Sequence, residues 1–464
     1  MSPRAGTQWS ADAEIVGTGG FVMTLSGQHR FFAAGFRWTI AALTGMFVLA
    51  MIGVPSVGAQ TYTVIHTFTG GGDGGGPEGG LTMDAAGNLY GTTAGYAQPC
   101  GSQCGTVFKM KPTGQGWLLT TLYKFTGGSD GSTPAATVVF GPDGALYGTT
   151  TYGGVNCPSD GQFHISGCGT VFRLAPQPTE CKSALCPWTE TVLYSFTGGA
   201  NDGAFPYAPV TFDQAGNIYG TTFSGGVYTT NCYYGYDWCG TIFKLTHSNG
   251  GWTESVPYIF TGGSDGANPV AGLTLDAAGN FYGVTMANGA GSSEGTFFEL
   301  SPSGSGWTLT TLLSFLSGSG NFPRGTLIFE PAGNLYGTTE FGGVYPNEGG
   351  TVFELSPSGG GWTRTGGYDL PGFLQDGPIA GLVRDSAGDL YGTGFELGPD
   401  NTGLAFKITP STGGWSYTQL YEFAVGDGGD GPSGNLVLDA QGNLYGTAGG
   451  GGAHGWGTVW EITP

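Results

Sequence analysis

Apolar and polar positions alternate with a period of two through most of the chain, in runs of five to nine residues closed by glycine. That is the pattern of half-buried β-strands. In the first clear unit it predicts strands at 80–84, 88–94, 105–111 and 117–125. The first two are linked by Asp84-Ala85-Ala86-Gly87-Asn88, and close copies stand at Asp276-Ala277-Ala278-Gly279-Asn280 and Asp439-Ala440-Gln441-Gly442-Asn443. An Asp that can bond the turn backbone, with a Gly free to take positive φ, makes this a tight antiparallel connection. The predicted unit is therefore a four-stranded meander.

The unit recurs. Leu89-Tyr90-Gly91-Thr92 returns as Leu146-Tyr147-Gly148-Thr149, Ile218-Tyr219-Gly220-Thr221, Phe281-Tyr282-Gly283-Val284, Leu335-Tyr336-Gly337-Thr338, Leu390-Tyr391-Gly392-Thr393 and Leu444-Tyr445-Gly446-Thr447. Each copy is followed by a third strand opening on Gly105, Gly169, Gly240, Gly295, Gly350, Gly403 or Gly457. Seven sets of four short antiparallel strands predict an all-β fold, a seven-bladed β-propeller. The last unit stops after its third strand at Pro464, while an orphan strand, 62–68, opens the mature chain and matches fourth strands such as 121–125. The N-terminal strand is thus expected to complete the last blade and leave no open edge. Units built from Gly-Asn-Leu-Tyr-Gly-Thr-Thr, Gly-Thr-Val-Phe and Phe-Thr-Gly-Gly-x-Asp-Gly resemble the GloVer tandem repeats of exported bacterial proteins, over about residues 61–464. The resemblance implies secretion and a repeat fold, and it transfers no catalytic residue.

Composition sharpens this picture in two ways. With 94 glycines and 10% charged residues, long ion-paired helices are excluded. With 33 acidic against 13 basic side chains the formal net charge is −20, a field that repels phosphate backbones, so no nucleic-acid partner is expected. Arg30 and Arg37 precede the apolar run 38–54, and Val57-Gly58-Ala59 supplies small residues for a signal peptidase. Residues 1–59 therefore read as a signal peptide, with Met23 a second possible start, and 60–464 as one propeller domain. The run is too short to span a bilayer comfortably, so the expected location is periplasmic or extracellular, with no membrane span after cleavage.

Candidate chemistry is sparse. Eight cysteines fall in close pairs, Cys100 with Cys104, Cys157 with Cys168, Cys181 with Cys186 and Cys232 with Cys239, which in an exported chain read as disulfides. Around the last pair lies an aromatic insertion: Tyr228, Tyr233, Tyr234, Tyr236 and Trp238 form a candidate platform for a sugar ring or a protein partner, or else cover a neighbouring blade. Asp73, Asp130, Asp202, Asp265, Asp376 and Asp430 each precede a glycine in blade-to-blade loops; they read as turn caps, with a Ca²⁺ role as the alternative and no other cofactor expected. A residue repeated in every blade serves the scaffold, so the Tyr-Gly-Thr tyrosines are expected to pack between blades. Glu340, Glu348 and Glu396 lie in loop regions where two could converge as acid and base. Loops between second and third strands, and from blade to blade, share one face, where a site should lie, there or at the channel mouth. The expected function is a monomeric, non-catalytic binding or scaffold propeller for an extracellular polysaccharide or surface protein, with a secreted glycan hydrolase or lyase as the alternative.

Overall fold

Each copy of the repeat folds as an antiparallel meander whose first strand faces the ring axis and whose fourth lies outermost. The computed structural model describes residues 60–464 except 96–103, 156, 158–166, 177–187, 231, 233–237, 249, 289–293, 316–319, 345–347, 373–375, 425 and 427. The segment read as a signal peptide lies outside the described residues. The fold is a seven-bladed β-propeller, all-β, with no helix among the described residues. Blade one comprises Thr82–Met83, Leu89–Thr93, Thr106–Thr113 and Gly116–Lys124. Blade seven comprises Val437–Leu438, Leu444–Ala448 and Thr458–Thr463, and its outermost strand is Thr61–Thr67. The two ends pair antiparallel from Thr61↔Thr463 to Thr67↔Thr458, with a register shift between Val64 and His66. A shift at the corresponding place, between Val107 and Phe108, marks blade one, so the N-terminal strand has the shape of its counterpart as well as its place.

The motif Leu-Tyr-Gly-Thr-Thr can be decoded residue by residue. The tyrosine hydroxyl donates to the hairpin acid of its own blade, as in Tyr90 to Asp84 at 3.0 Å and Tyr391 to Asp385 at 3.0 Å, while its ring meets the next blade, as in Tyr90–Phe140 at 5.2 Å. Burial raises these hydroxyls above the ordinary tyrosine range, and the acid they bond adds to it. The glycine lies beneath the aromatic ring of the third strand: a Cβ on Gly220 would stand 2.5 Å from Phe243. The first threonine reaches across the seam, Thr221 Oγ1 donating to the Ala271 carbonyl at 2.9 Å, and Thr447 does the same to Gly79, joining the last blade to the first. The second threonine ties strand two to strand three, as Thr222 does with Thr241 at 2.8 Å. Gly240, at φ +87°, then turns the chain against Pro269 of the next blade, where no side chain would fit.

The core is accordingly a set of seams. Tyr90, Val107 and Phe125 of blade one close on Val138, Leu146 and Phe172 of blade two, and equivalent clusters fill the other junctions. Full burial of one such ring contributes roughly 2–3 kcal/mol, and truncating Phe172 to Ala would cost about 3–5 kcal/mol. The innermost strands are shorter than their alternation predicts: only Thr82–Met83 of the expected 80–84 joins the ladder. The amides just before it are used by the two neighbouring blades instead, Gly80 N–H on Thr137 Oγ1 of blade two at 3.0 Å and Leu81 N–H on the Asn435 carbonyl of blade seven at 3.3 Å. The seven blades together form one compact unit, Ala59–Pro464.

Candidate functional site

The stretch that leaves the ladder is where the blades cease to be alike. Each first strand is preceded by a proline, one residue of varying type, and a small residue: Pro77-Glu78-Gly79, Pro134-Ala135-Ala136, Pro206-Tyr207-Ala208, Pro269-Val270-Ala271, Pro323-Arg324-Gly325, Pro378-Ile379-Ala380 and Pro432-Ser433-Gly434. The flanking residues are buried and the middle one is at least partly open to solvent in all seven. Pro77 and its equivalents fix the backbone, and the small residue's carbonyl receives the cross-seam threonine in five seams. A cavity of about 550 Å³ is lined by all seven middle residues together with Phe223, Met286, Phe322, Glu340 and Phe341. A space touched by one residue from every blade lies on the ring axis: this is the channel mouth. It opens on the face of the loops between second and third strands, since Phe223 and Met286 directly follow second strands. Below it, Gly80, Thr137, Pro209, Thr326, Gly381 and Asn435 line a neck with a void of only about 80 Å³.

The mouth is lopsided. Blades three to five bring bulk, while blades one, two and seven contribute Glu78, Ala135 and Ser433. Tyr207, 36% exposed, meets Phe223 edge-on at 5.7 Å, and Phe322 meets Phe341 edge-on at 5.4 Å. Phe205 and Phe322 are held at φ +59° and +54°, a left-handed conformation that a bulky side chain adopts only under constraint. Constraint is visible at Phe205: its N–H donates to the Cys168 carbonyl at 2.9 Å and its own carbonyl accepts from Phe223 at 3.1 Å. Arg324 Nη1 donates to both oxygens of Glu340, at 3.2 and 3.1 Å. Burial nevertheless pushes the Glu340 carboxyl above its ordinary range against the pull of Arg324, with Asp376 and Glu396 adding to the rise. Glu78 is raised by desolvation alone. The arrangement offers aromatic faces, one positioned ion pair and one carboxylate that accepts no hydrogen bond among the described residues, which suits stacking and polar recognition of a ring-shaped ligand.

Of the residues singled out from sequence, Tyr228 and Trp238 are paired by an antiparallel bridge with rings 5.2 Å apart, and Tyr228 is 63% exposed. Tyr233, Tyr234 and Tyr236 lie outside the described residues, so the platform is represented by its two ends. Cys157–Cys168 and Cys232–Cys239 are disulfides, and Cys104 is disulfide-bonded, while Cys100, Cys181 and Cys186 lie outside the described residues. Four of the six loop aspartates act as caps: Asp130 accepts from Thr126 N–H at 2.8 Å and Thr126 Oγ1 at 2.6 Å, and Asp73, Asp202 and Asp265 do likewise with Thr69, Thr197 and Thr261, while among the described residues Asp376 and Asp430 make no such bond. Among the described residues no group of three or more His, Cys, Asp or Glu side chains could hold a metal ion, and no helix is long and apolar enough to cross a membrane. Glu340 is at the mouth, with Glu396 and Asp376 near it, their backbones joined by Glu396 N–H on the Asp376 carbonyl at 2.8 Å; Glu348 is not among the lining residues. The seven middle residues escaped sequence reasoning because a position that differs in every copy belongs to no motif. The available signal was the frame itself, a fixed proline and a fixed small residue around unlike neighbours.

Fold and site together define a repeat propeller that keeps one scaffold in seven copies and varies it at the axis. The chain belongs to the Gloeobacter/Verrucomicrobia repeat family, whose model matches residues 54–226 and 157–372. No curated protein matches the chain. Solved structures similar to it include a protein assigned as an oxidoreductase (glucose dehydrogenase) from Thermus thermophilus, with 15% identity, 70% of this chain and 95% of that one covered, and a TM-score of 0.39. PorZ, a surface component of the type-IX secretion system of Porphyromonas gingivalis, gives 12% identity, 82% and 46% coverage and a TM-score of 0.47. The extracellular domain of BT4673 from B. thetaiotaomicron, assigned as a one-component system, gives 10%, 82% and 37%, and 0.43.

Proposed function

We propose that this is an exported, non-catalytic binding propeller that takes the sugar rings of an extracellular glycan at its channel mouth. The observation that carries the reading is the asymmetric lining: seven equivalent positions hold Glu78, Ala135, Tyr207, Val270, Arg324, Ile379 and Ser433, beside the rings of Phe223, Phe322 and Phe341. Aromatic faces bury the apolar side of a pyranose, and the Arg324–Glu340 pair offers donors and acceptors to its hydroxyls. Two disulfides support export, since such bonds persist in oxidising compartments. Holding both Glu340 oxygens on one guanidinium favours recognition over acid catalysis. The test is a glycan array on the purified protein, read for retention and for released fragments. Retention that drops at least about tenfold in Tyr207→Ala and in Arg324→Ala, a loss of roughly 1.4 kcal/mol, is expected. Retention unchanged in both variants would move the site elsewhere, Tyr228 and Trp238 being the next place to look. Fragment release abolished by Glu340→Gln would replace binding with hydrolysis.

A further inference from the structure

The mouth also has a sign of charge. Glu78 stands alone there: exposed on the channel wall, its carboxylate has neither a hydrogen bond nor an ion pair among the described residues. Among the described residues the only basic side chain lining the cavity, Arg324, is ion-paired with Glu340. Asp376 and Glu396 lie near enough to act on Glu340, and the whole chain carries 33 acidic against 13 basic residues. A concave site with low-dielectric walls concentrates such a field, so an anionic ligand is repelled and a cationic group is drawn in. Glu78 shares the cavity with Tyr207 and Phe223, so an ammonium group can pair with the carboxylate while the sugar ring stacks on the aromatic faces.

Resting on the glycan reading above, we propose that the channel mouth selects amino sugars: glycans whose rings carry a free amine, with the ammonium paired to Glu78. The requirement is one of matched chemistry. A neutral sugar leaves the Glu78 carboxylate partly desolvated and unpaired, an N-acetylated sugar presents it with an amide in place of a charge, and only a protonated amine both neutralises it and donates to it. Glu78 is then a specificity-determining residue, while Tyr207 and the phenylalanines supply affinity that does not discriminate among the three.

Three β-1,4-linked hexamers of equal length isolate the effect, because they differ at one carbon: glucosamine, N-acetylglucosamine and glucose oligomers carry an amine, an acetamide or a hydroxyl. Calorimetric titration of the full protein at about pH 6, where a sugar amine is protonated, is expected to show the glucosamine hexamer binding at least about tenfold tighter than the glucose hexamer. In Glu78→Gln that preference should fall to within about twofold, the glucosamine hexamer binding more weakly and the glucose hexamer, which no longer covers an unpaired carboxylate, binding somewhat more tightly. General attraction of a polycation to an acidic protein would survive Glu78→Gln, which removes one carboxylate of 33, so a preference that persists in the variant overturns the assignment. Three hexamers binding equally would overturn the amine selection and leave glycan binding standing. Binding of none, in an array that also retains no other glycan, would remove both.

Discussion

The cross-seam threonines allow one chemical change to be made twice with opposite expected sign. Thr221 donates to the Ala271 carbonyl at 2.9 Å, and both residues are almost fully buried, at 2% and 3% exposure. Thr393 occupies the same place in blade six, equally buried, but among the described residues its hydroxyl has no hydrogen-bond partner. Replacing threonine by valine keeps the shape and exchanges hydroxyl for methyl. At Thr221 this removes a hydrogen bond and leaves a buried carbonyl short of a donor, a loss of about 1–3 kcal/mol, offset by up to about 0.8 kcal/mol for the added methyl. At Thr393 the same change removes an unsatisfied polar group, so stability should rise by up to about 1 kcal/mol. The two variants are therefore separated by roughly 2 kcal/mol. Urea unfolding followed by tryptophan fluorescence, with slopes compared to verify that each variant unfolds like the parent, measures the difference. Blade four supplies the reciprocal case, since Val284 stands where the hydroxyl would be, and Val284→Thr should stabilise by about 1 kcal/mol by bonding across the seam to blade five. Equal losses in Thr221→Val and Thr393→Val would refute the idea that the seams are held by these bonds.

Other outcomes follow from the same contacts. Gly220→Ala would push a methyl to within 2.5 Å of the Phe243 ring, so a loss of about 1–3 kcal/mol is expected in the same urea assay, and an unchanged midpoint would contradict the packing described. Burial raises the carboxyls of Glu190 and Glu254 from 4.5 to about 7, reinforced by Asp130 and Asp202 respectively. Since the folded state then binds more protons than the unfolded one, their contribution is fully present below pH 4.5, declines between 4.5 and 7, and is gone above 7. The double variant Glu190→Gln with Glu254→Gln should flatten that decline and be the more stable protein above pH 7; a stability profile parallel to the parent's would count against it.

Most of the architecture was legible because its contacts are written again and again, the tyrosine–acid bond in all seven blades and the cross-seam threonine bond in five. A tyrosine whose hydroxyl meets the hairpin acid, a glycine under a phenylalanine and a threonine across the seam leave the same letters in blade after blade, and repetition lifts them above chance. The short inner strands were less legible: alternation continues through Gly80 and Leu81, but it cannot tell whether an amide bonds within its own blade or to a neighbouring one. Blade two shows the limit of motif reading from the other side. Its hairpin is Gly141-Pro142-Asp143-Gly144-Ala145, and there Asp143 serves both the Tyr147 hydroxyl at 3.2 Å and Arg173 at 2.6 Å. The candidate site was hardest to see because its residues are defined by difference. Tyr207 and Arg324 share a position but no chemistry, and only the ring brings them to one axis.

The pairing of Thr61–Thr67 with Thr458–Thr463 has a bearing on how the molecule is made. A ribosome delivers the first of these segments about 400 residues before the second, so the closing strand must wait, solvated and alone, while six blades stack beside it. Contacts of such sequence separation are slow to form, and until this one does, the edge that ends the growing stack stays open to other chains. Completion of the ring is thus the moment at which an aggregation-prone intermediate becomes a closed protein.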